Sequence, residues 1–198
     1  MERTVLVTGF DPFGGESVNP SWEAVKLLPE LIGDIRIERL MLPTVYGRSA
    51  ELAMEYALRV GADTVVCVGQ AGGRAAVTPE VIGINLREAS IADNDGNLFA
   101  GTPIKEGAPA AHFSTLPVRE IVAALKEEGI NAALSYSAGA FVCNDLLYTL
   151  LDELGPRGIG IGFIHVPYIP EQTEGRDNTP SMPLSMITRA LEVAISAL

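Results

Sequence analysis

Asp145-Leu146-Leu147-Tyr148-Thr149-Leu150-Leu151-Asp152-Glu153-Leu154-Gly155-Pro156, followed two residues later by Ile159-Gly160-Ile161-Gly162-Phe163-Ile164-His165-Val166, decides how this chain folds. In the first segment Leu146, Leu147, Leu150, Leu151 and Leu154 recur at helical spacing on one face, and Gly155-Pro156 supplies a stop signal, so a helix is expected over 145–155. The second segment is a short apolar run rich in branched side chains, the pattern of a strand buried on both faces. The same alternation runs through the chain. Residues 4–10, 35–42, 64–69 and 131–137 read as further buried strands, and 21–31, 47–60 and 118–129 as helices. A last helix over 183–198 lines up Leu184, Ile187, Leu191 and Ile195 in one stripe. Strand and helix in alternation predict an α/β fold of three α/β/α layers, with a mainly parallel twisted sheet and helices on both faces.

Working outward, residues 77–109 interrupt the alternation. Pro79, Asn94-Asp95-Gly96 and Gly101-Thr102-Pro103 are turn signals in a stretch with little helical periodicity, expected to form a hairpin-like excursion and a long loop near the site. No repeat, low-complexity tract or linker divides the chain, and 198 residues with 47% hydrophobic content suit one domain over 1–198. Met1-Glu2-Arg3-Thr4-Val5 leads directly into a strand without the charged, apolar and small-residue succession of an export signal, and no apolar run reaches membrane-spanning length. A soluble, cytosolic protein is the expectation. A formal charge of −11 repels phosphate backbones and anionic lipid surfaces, so nucleic acid and membranes are not expected partners. Two cysteines, two histidines and no short spacing between them argue against a structural metal site.

Few residues are therefore placed to do chemistry. Cys143 follows a buried strand and the small-residue run Ser137-Ala138-Gly139-Ala140, at the start of the leucine-rich helix. Unpaired amides at a helix start favour a thiolate and can also donate to an oxyanion, which makes Cys143 a candidate nucleophile. Cys67, in Thr64-Val65-Val66-Cys67-Val68, sits mid-strand and reads as a small core residue. His165 ends its strand on the side of the sheet where sites gather, which suits a general base. His112, in Ala110-Ala111-His112-Phe113-Ser114, lacks such a setting and reads as a surface loop residue. An imidazole needs a partner to fix its tautomer, and Glu80, between Pro79 and the apolar pair Val81-Ile82, is one candidate among many acidic residues. The glycine-rich Gly69-Gln70-Ala71-Gly72-Gly73-Arg74 is followed by no Lys-Ser or Lys-Thr pair and opens no helix, so it reads as a tight turn rather than a nucleotide cradle.

Taken together, five segments resemble the pyroglutamyl peptidase I family of cysteine exopeptidases, also called pyrrolidone-carboxylate peptidases. They are Gly9-Phe10-Asp11-Pro12-Phe13-Gly14-Gly15 with Asn19-Pro20-Ser21, the run 69–74 leading to Glu80, Ile91-Ala92-Asp93-Asn94-Asp95-Gly96, Ser137-Ala138-Gly139-Ala140-Phe141-Val142-Cys143-Asn144, and Phe163-Ile164-His165-Val166-Pro167. The resemblance implies a Cys143–His165–Glu80 triad, removal of an N-terminal pyroglutamyl residue from peptides, no cofactor and a homotetramer. Members of the family usually carry a basic residue directly after the glutamate and Ala three positions after it; this chain has Val81 and Gly83. A pyroglutamyl ring is flat, small and neutral, so its pocket needs apolar faces and partners for the lactam C=O and N–H. Phe10, Phe13, Phe141 and Val142 are candidates for the faces, and Asn19 and Gln70 for the polar edge. Two rival readings rest on the residues alone. A glycosyl transferase resembling nucleoside phosphorylases would resist thiol alkylation, and a non-catalytic small-molecule-binding domain would need no thiol.

Overall fold

A computed structural model describes residues 3–198; Met1 and Glu2, read above as leading into the first strand, lie outside the described residues. The strands are β1 (Arg3–Phe10), β2 (Leu31–Ile32), β3 (Ile35–Leu42), β4 (Thr64–Gln70), β5 (Thr78–Pro79), β6 (Ile82–Ile84), β7 (Arg87–Glu88), β8 (Ala100–Thr102), β9 (Ala111–Phe113) and β10 (Gly160–Val166). The helices are α1 (Pro20–Val25), α2 (Arg48–Val60), α3 (Val118–Glu127), α4 (Val142–Glu153) and α5 (Leu184–Ser196). The central sheet runs β2-β3-β1-β4-β10-β5, with β3, β1, β4 and β10 mutually parallel and the two short edge strands antiparallel to their neighbours.

Side chains alternate across that sheet and divide the core in two. Val5, Val7, Val66, Val68, Ile164 and Val166 pack under α1, α3 and α5. Leu6, Val65, Cys67, Ile161 and Phe163 pack under α2 and α4. Burial on both faces is what gave these strands their unbroken apolar character, and the three-layer α/β/α expectation holds.

Three readings differ from the structure by more than a residue or two. The helix expected over 21–31 stops after six residues, at Val25; Leu27 and Leu28 donate to Ala24 and Val25 in tight turns, and Pro29 disfavours helical backbone in Leu28. The helix expected from Asp145 begins instead at Val142. Residues 131–137 form no strand but meet the 77–81 segment in two isolated parallel bridges, Val77 with Ala132 and Glu80 with Ser135. Hydrogen bonds run from Val77 N to Asn131 O, Ala133 N to Val77 O, Ser135 N to Pro79 O and Val81 N to Ser135 O. The missing middle rung is the one Pro79 would donate, and proline has no N–H. The excursion is present as expected, as two antiparallel pairs, β6 with β9 and β7 with β8. Gly83 in β6 lies so close to α4 that a Cβ there would stand 3.1 Å from Leu147 Cγ and from Tyr148 N, so the Ala usual in the family would require a small shift here.

Candidate active site

Gly139 adopts a φ of +77°, which glycine tolerates and most residues do not, and this turns the chain back onto the sheet just before α4. Phe141 occupies the cap position without a side-chain hydrogen bond, so the helix start is secured by tertiary bonds instead. Asn144 accepts from Ile84 N (2.9 Å) and donates to Ile84 O (2.8 Å) and Leu86 O (3.0 Å). Asp145 accepts from Arg87 Nε (2.6 Å) and Gly47 N (2.7 Å). Both side chains are fully buried, and between them they fix the turn that carries Cys143.

The sulfur lies over β4. A Cβ placed on Gly69 would sit 2.9 Å from Cys143 Sγ and 2.6 Å from the Phe163 ring, so the glycine is the sulfur's seat. Gly69 is register-paired with His165 on β10, and Cys67 with Phe163 two residues back on the same face. The His165 ring stands 4.7 Å from that of Phe163. Cys143 and His165 therefore come from α4 and β10 to one face of the sheet at its carboxyl edge.

Glu80 completes the arrangement. Its side chain is 0% exposed, its N–H donates to Phe163 O (2.8 Å), and its Oε1 accepts from His165 Nδ1 (2.6 Å). An ionised carboxylate only accepts, so Nδ1 carries the ring proton and Nε2 keeps its lone pair. Burial works to raise the carboxyl of Glu80, but hydrogen bonds from His165 and Arg74, the His165 charge and the nearby Ser135 hydroxyl outweigh it and hold the group below its ordinary range. Burial, aided by the Arg74 charge and opposed by Glu80, pushes His165 down, favouring the neutral ring. The sulfur departs from the sequence expectation of a thiolate. Burial and the Glu80 charge push Cys143 up to about 12, outweighing Arg74 and the residue's own amide, so the group rests as a thiol.

Of the expected pocket residues, Phe13 and Phe141 are half-buried with ring centroids 6.0 Å apart, and Phe141 meets Tyr46 edge-on at 5.3 Å. Phe10 and Val142 lie in the core, Phe10 6.4 Å from Phe163. Asn19 is 3% exposed and occupied by the fold: Oδ1 caps α1 at Ser21 N and Nδ2 donates to Asp11 O. Gln70 is half-buried, and its Oε1 accepts from Gln172 Nε2 (2.8 Å). Since Gln172 Oε1 itself accepts from Ile169 N, the Gln70 amide is turned so that its NH₂ remains a free donor.

Several contributors were not picked out from the sequence. Asp11 takes bonds from Thr44 and from Asn94, which brace the Phe13 loop against the 91–97 turn. Tyr46 O–H donates to Ala140 O, in the turn that leads to Cys143. Arg74 donates to Glu80 Oε1 (2.9 Å). Arg74 and Asp145 stood in or beside the quoted motifs, whereas Tyr46 and Gln172 gave no local signal. Cys67 is core, as expected, and both thiols are free. His112 lies in β9 rather than a loop, half-buried, with Nε2 2.9 Å from Asp152 and its ring 5.0 Å from Tyr148; its pairing with Gly83 in β6 makes it part of a strand. Among the described residues no group of three or more His, Cys, Asp or Glu is placed to hold a metal ion.

With a thiol seated over a parallel sheet beside an oriented histidine, the fold and site define a hydrolase of the cysteine type. Residues 3–198 match the family described as pyroglutamyl peptidase. A pyrrolidone-carboxylate peptidase of Bacillus velezensis is 51% identical over 197 residues, covering 98% of this chain and 91% of that protein. The crystal structure of pyroglutamyl peptidase I from Bacillus amyloliquefaciens superposes with a TM-score of 0.96 at 50% identity, covering 100% of this chain and 95% of that one. A mutant pyrrolidone carboxyl peptidase from the hyperthermophile Pyrococcus furiosus gives 0.92 at 40% identity, covering 98% and 97%. The chain belongs to the pyroglutamyl peptidase family, and it is a cysteine exopeptidase.

Proposed function

We propose that this enzyme removes an N-terminal pyroglutamyl residue from peptides, with Cys143 as nucleophile, His165 as general base and then acid, and Glu80 holding the imidazole. The observation that carries the reading is the sulfur seated over Gly69, register-paired with a histidine whose tautomer is fixed by a buried carboxylate. Because the thiol rests protonated, its proton passes to His165 Nε2 as sulfur attacks the carbonyl that follows the pyroglutamyl ring. First-turn amides of α4, which have no acceptor within the helix, stabilise the oxyanion. His165 then gives its proton to the departing amine, and water activated by the same nitrogen releases the acid from the thioester.

The Phe13–Phe141 pair supplies apolar faces for the ring, with Phe10 and Val142 supporting it from the core. The free NH₂ of Gln70 serves the lactam carbonyl, and Asn19 shapes the loop that carries Phe13. Proline lacks the lactam carbonyl and would leave that donor unpaired, which is the basis of selectivity. The chain works as one domain, in the cytosol and as a homotetramer; no described helix is long and apolar enough to cross a membrane, and exposed Phe113 and Tyr136 offer surface for subunits to cover.

Turnover of chromogenic pyroglutamyl, prolyl and glutamyl amides, with and without iodoacetamide, tests this. Cleavage confined to the pyroglutamyl amide and abolished by alkylation is expected. Cleavage that survives alkylation would remove Cys143 from its role. Sedimentation velocity tests the tetramer.

A further inference from the structure

Arg74 leaves the turn after β4 and reaches back to the carboxylate behind His165. Nη1 donates to Thr78 Oγ1 (2.6 Å) and Glu80 Oε1 (2.9 Å), and Nη2 to Ser137 O (3.1 Å). The guanidinium is thus fixed at several points although its side chain is 32% exposed. Oε1 of Glu80 is also the acceptor for His165 Nδ1, so one oxygen serves both the guanidinium and the imidazole, while Oε2 is buried and has no hydrogen-bond partner. The Ser135 hydroxyl lies near enough to favour the charged carboxylate, but its donated bond goes to Ser137 O and leaves Oε2 without a partner.

Sharing has a chemical consequence. A carboxylate facing only an imidazole would draw a proton strongly onto the ring, and a ring already protonated cannot take the thiol proton. A guanidinium on the same oxygen offsets part of that pull and repels the imidazolium directly. We propose that Arg74 is a positioning residue of the reaction, which through the shared Glu80 oxygen fixes the carboxylate and keeps His165 unprotonated, and so basic, near neutral pH. This rests on the reading of His165 as the general base. The other titratable groups facing the pair are Cys143 from α4 and Cys67 on the same face of β4; both thiols are uncharged at rest, since burial pushes each up to about 12.

The test is the acid limb of the kcat/KM profile on a pyroglutamyl amide, together with the titration of His165 by ring-proton NMR. The chain has two histidines, so His112→Gln completes the assignment. Removing a positive charge raises the proton affinity of the pair, so Arg74→Met should move both midpoints to higher pH by roughly one unit. Arg74→Lys, which keeps the charge but not the fork, should return most of the shift. If Arg74→Met fails to fold, Arg74→Gln gives the same comparison with a hydrogen bond retained and the charge removed. Midpoints unchanged in a folded, neutral variant would overturn the proposal and leave Arg74 as a structural tether. The base reading fails on a different result, near-normal turnover by His165→Asn, and the NMR titration of Arg74 variants does not depend on turnover.

Discussion

Two thiols on the same face of one sheet make the instructive comparison. Cys67 lies mid-strand in the core and Cys143 at the start of α4, yet burial pushes both up to about 12. Acidity of the isolated sulfur therefore does not distinguish the proposed nucleophile from the core thiol. What differs is the neighbourhood: Cys67 has the Thr8 hydroxyl, whereas Cys143 sits over a bare glycine facing the strand position of an oriented imidazole. In the proposed mechanism reactivity comes from the proton's destination rather than from the sulfur's own affinity.

The comparison breaks most directly at the two sulfurs. Cys143→Ala should lower kcat/KM by about 10,000-fold or more, as loss of a nucleophile does, and recovery of near-normal turnover in that variant would dissolve the contrast. Next in size is the seat. Gly69→Ala places a methyl 2.9 Å from Sγ and 2.6 Å from the Phe163 ring, and should cost roughly 100-fold in kcat by displacing the sulfur; iodoacetamide kinetics on the variant would show whether the thiol has moved.

Acid sharpens the comparison through the partner ring. An unfolded histidine takes its proton near 6.5, whereas His165 resists it when folded, so the unfolded state binds more protons as pH falls and stability drops below about pH 7. Glu80, held below 4.5, adds a further loss at still lower pH, present above its unfolded value and lost as pH falls through the folded one. Melting temperature recorded from pH 7 to 5 should fall in the parent and flatten in His165→Gln; parallel curves would contradict the assignment. The smallest effect belongs to Cys67→Ala. It should keep kcat/KM within about twofold while losing roughly 1 kcal/mol of packing, a drop of about 2–4 °C in Tm.

Much of this was legible in the chain because burial on both faces leaves an unmistakable apolar run. The strands at 4–10, 35–42, 64–69 and 159–166 announced themselves in that way, each within a residue of β1, β3, β4 and β10, and the junctions before Cys143 and at His165 marked the edge of the candidate site. Glu80 was only one acid among many until its bond to Nδ1 singled it out. Other features depend on contacts remote in sequence. The strand reading of 131–137 failed because the proline that removes a rung stands some fifty residues earlier in the partner segment. The helix start was misplaced because Phe141 gives no cap signal and the turn is held by Asn144 and Asp145 reaching outward. Arg74 and Gln172 act across loops, and nothing in their local sequence says which side chain they will meet.

Those outward bonds make the excursion more than a flap on the surface. Ile84, Leu86 and Arg87 are stitched to the first turn of α4, and Gly83 abuts the same helix one turn further along. A local opening that frees one must release the other, so the foothold of Cys143 is as durable as the small sheets that grip it, and amide exchange should find the two regions unlocking in concert.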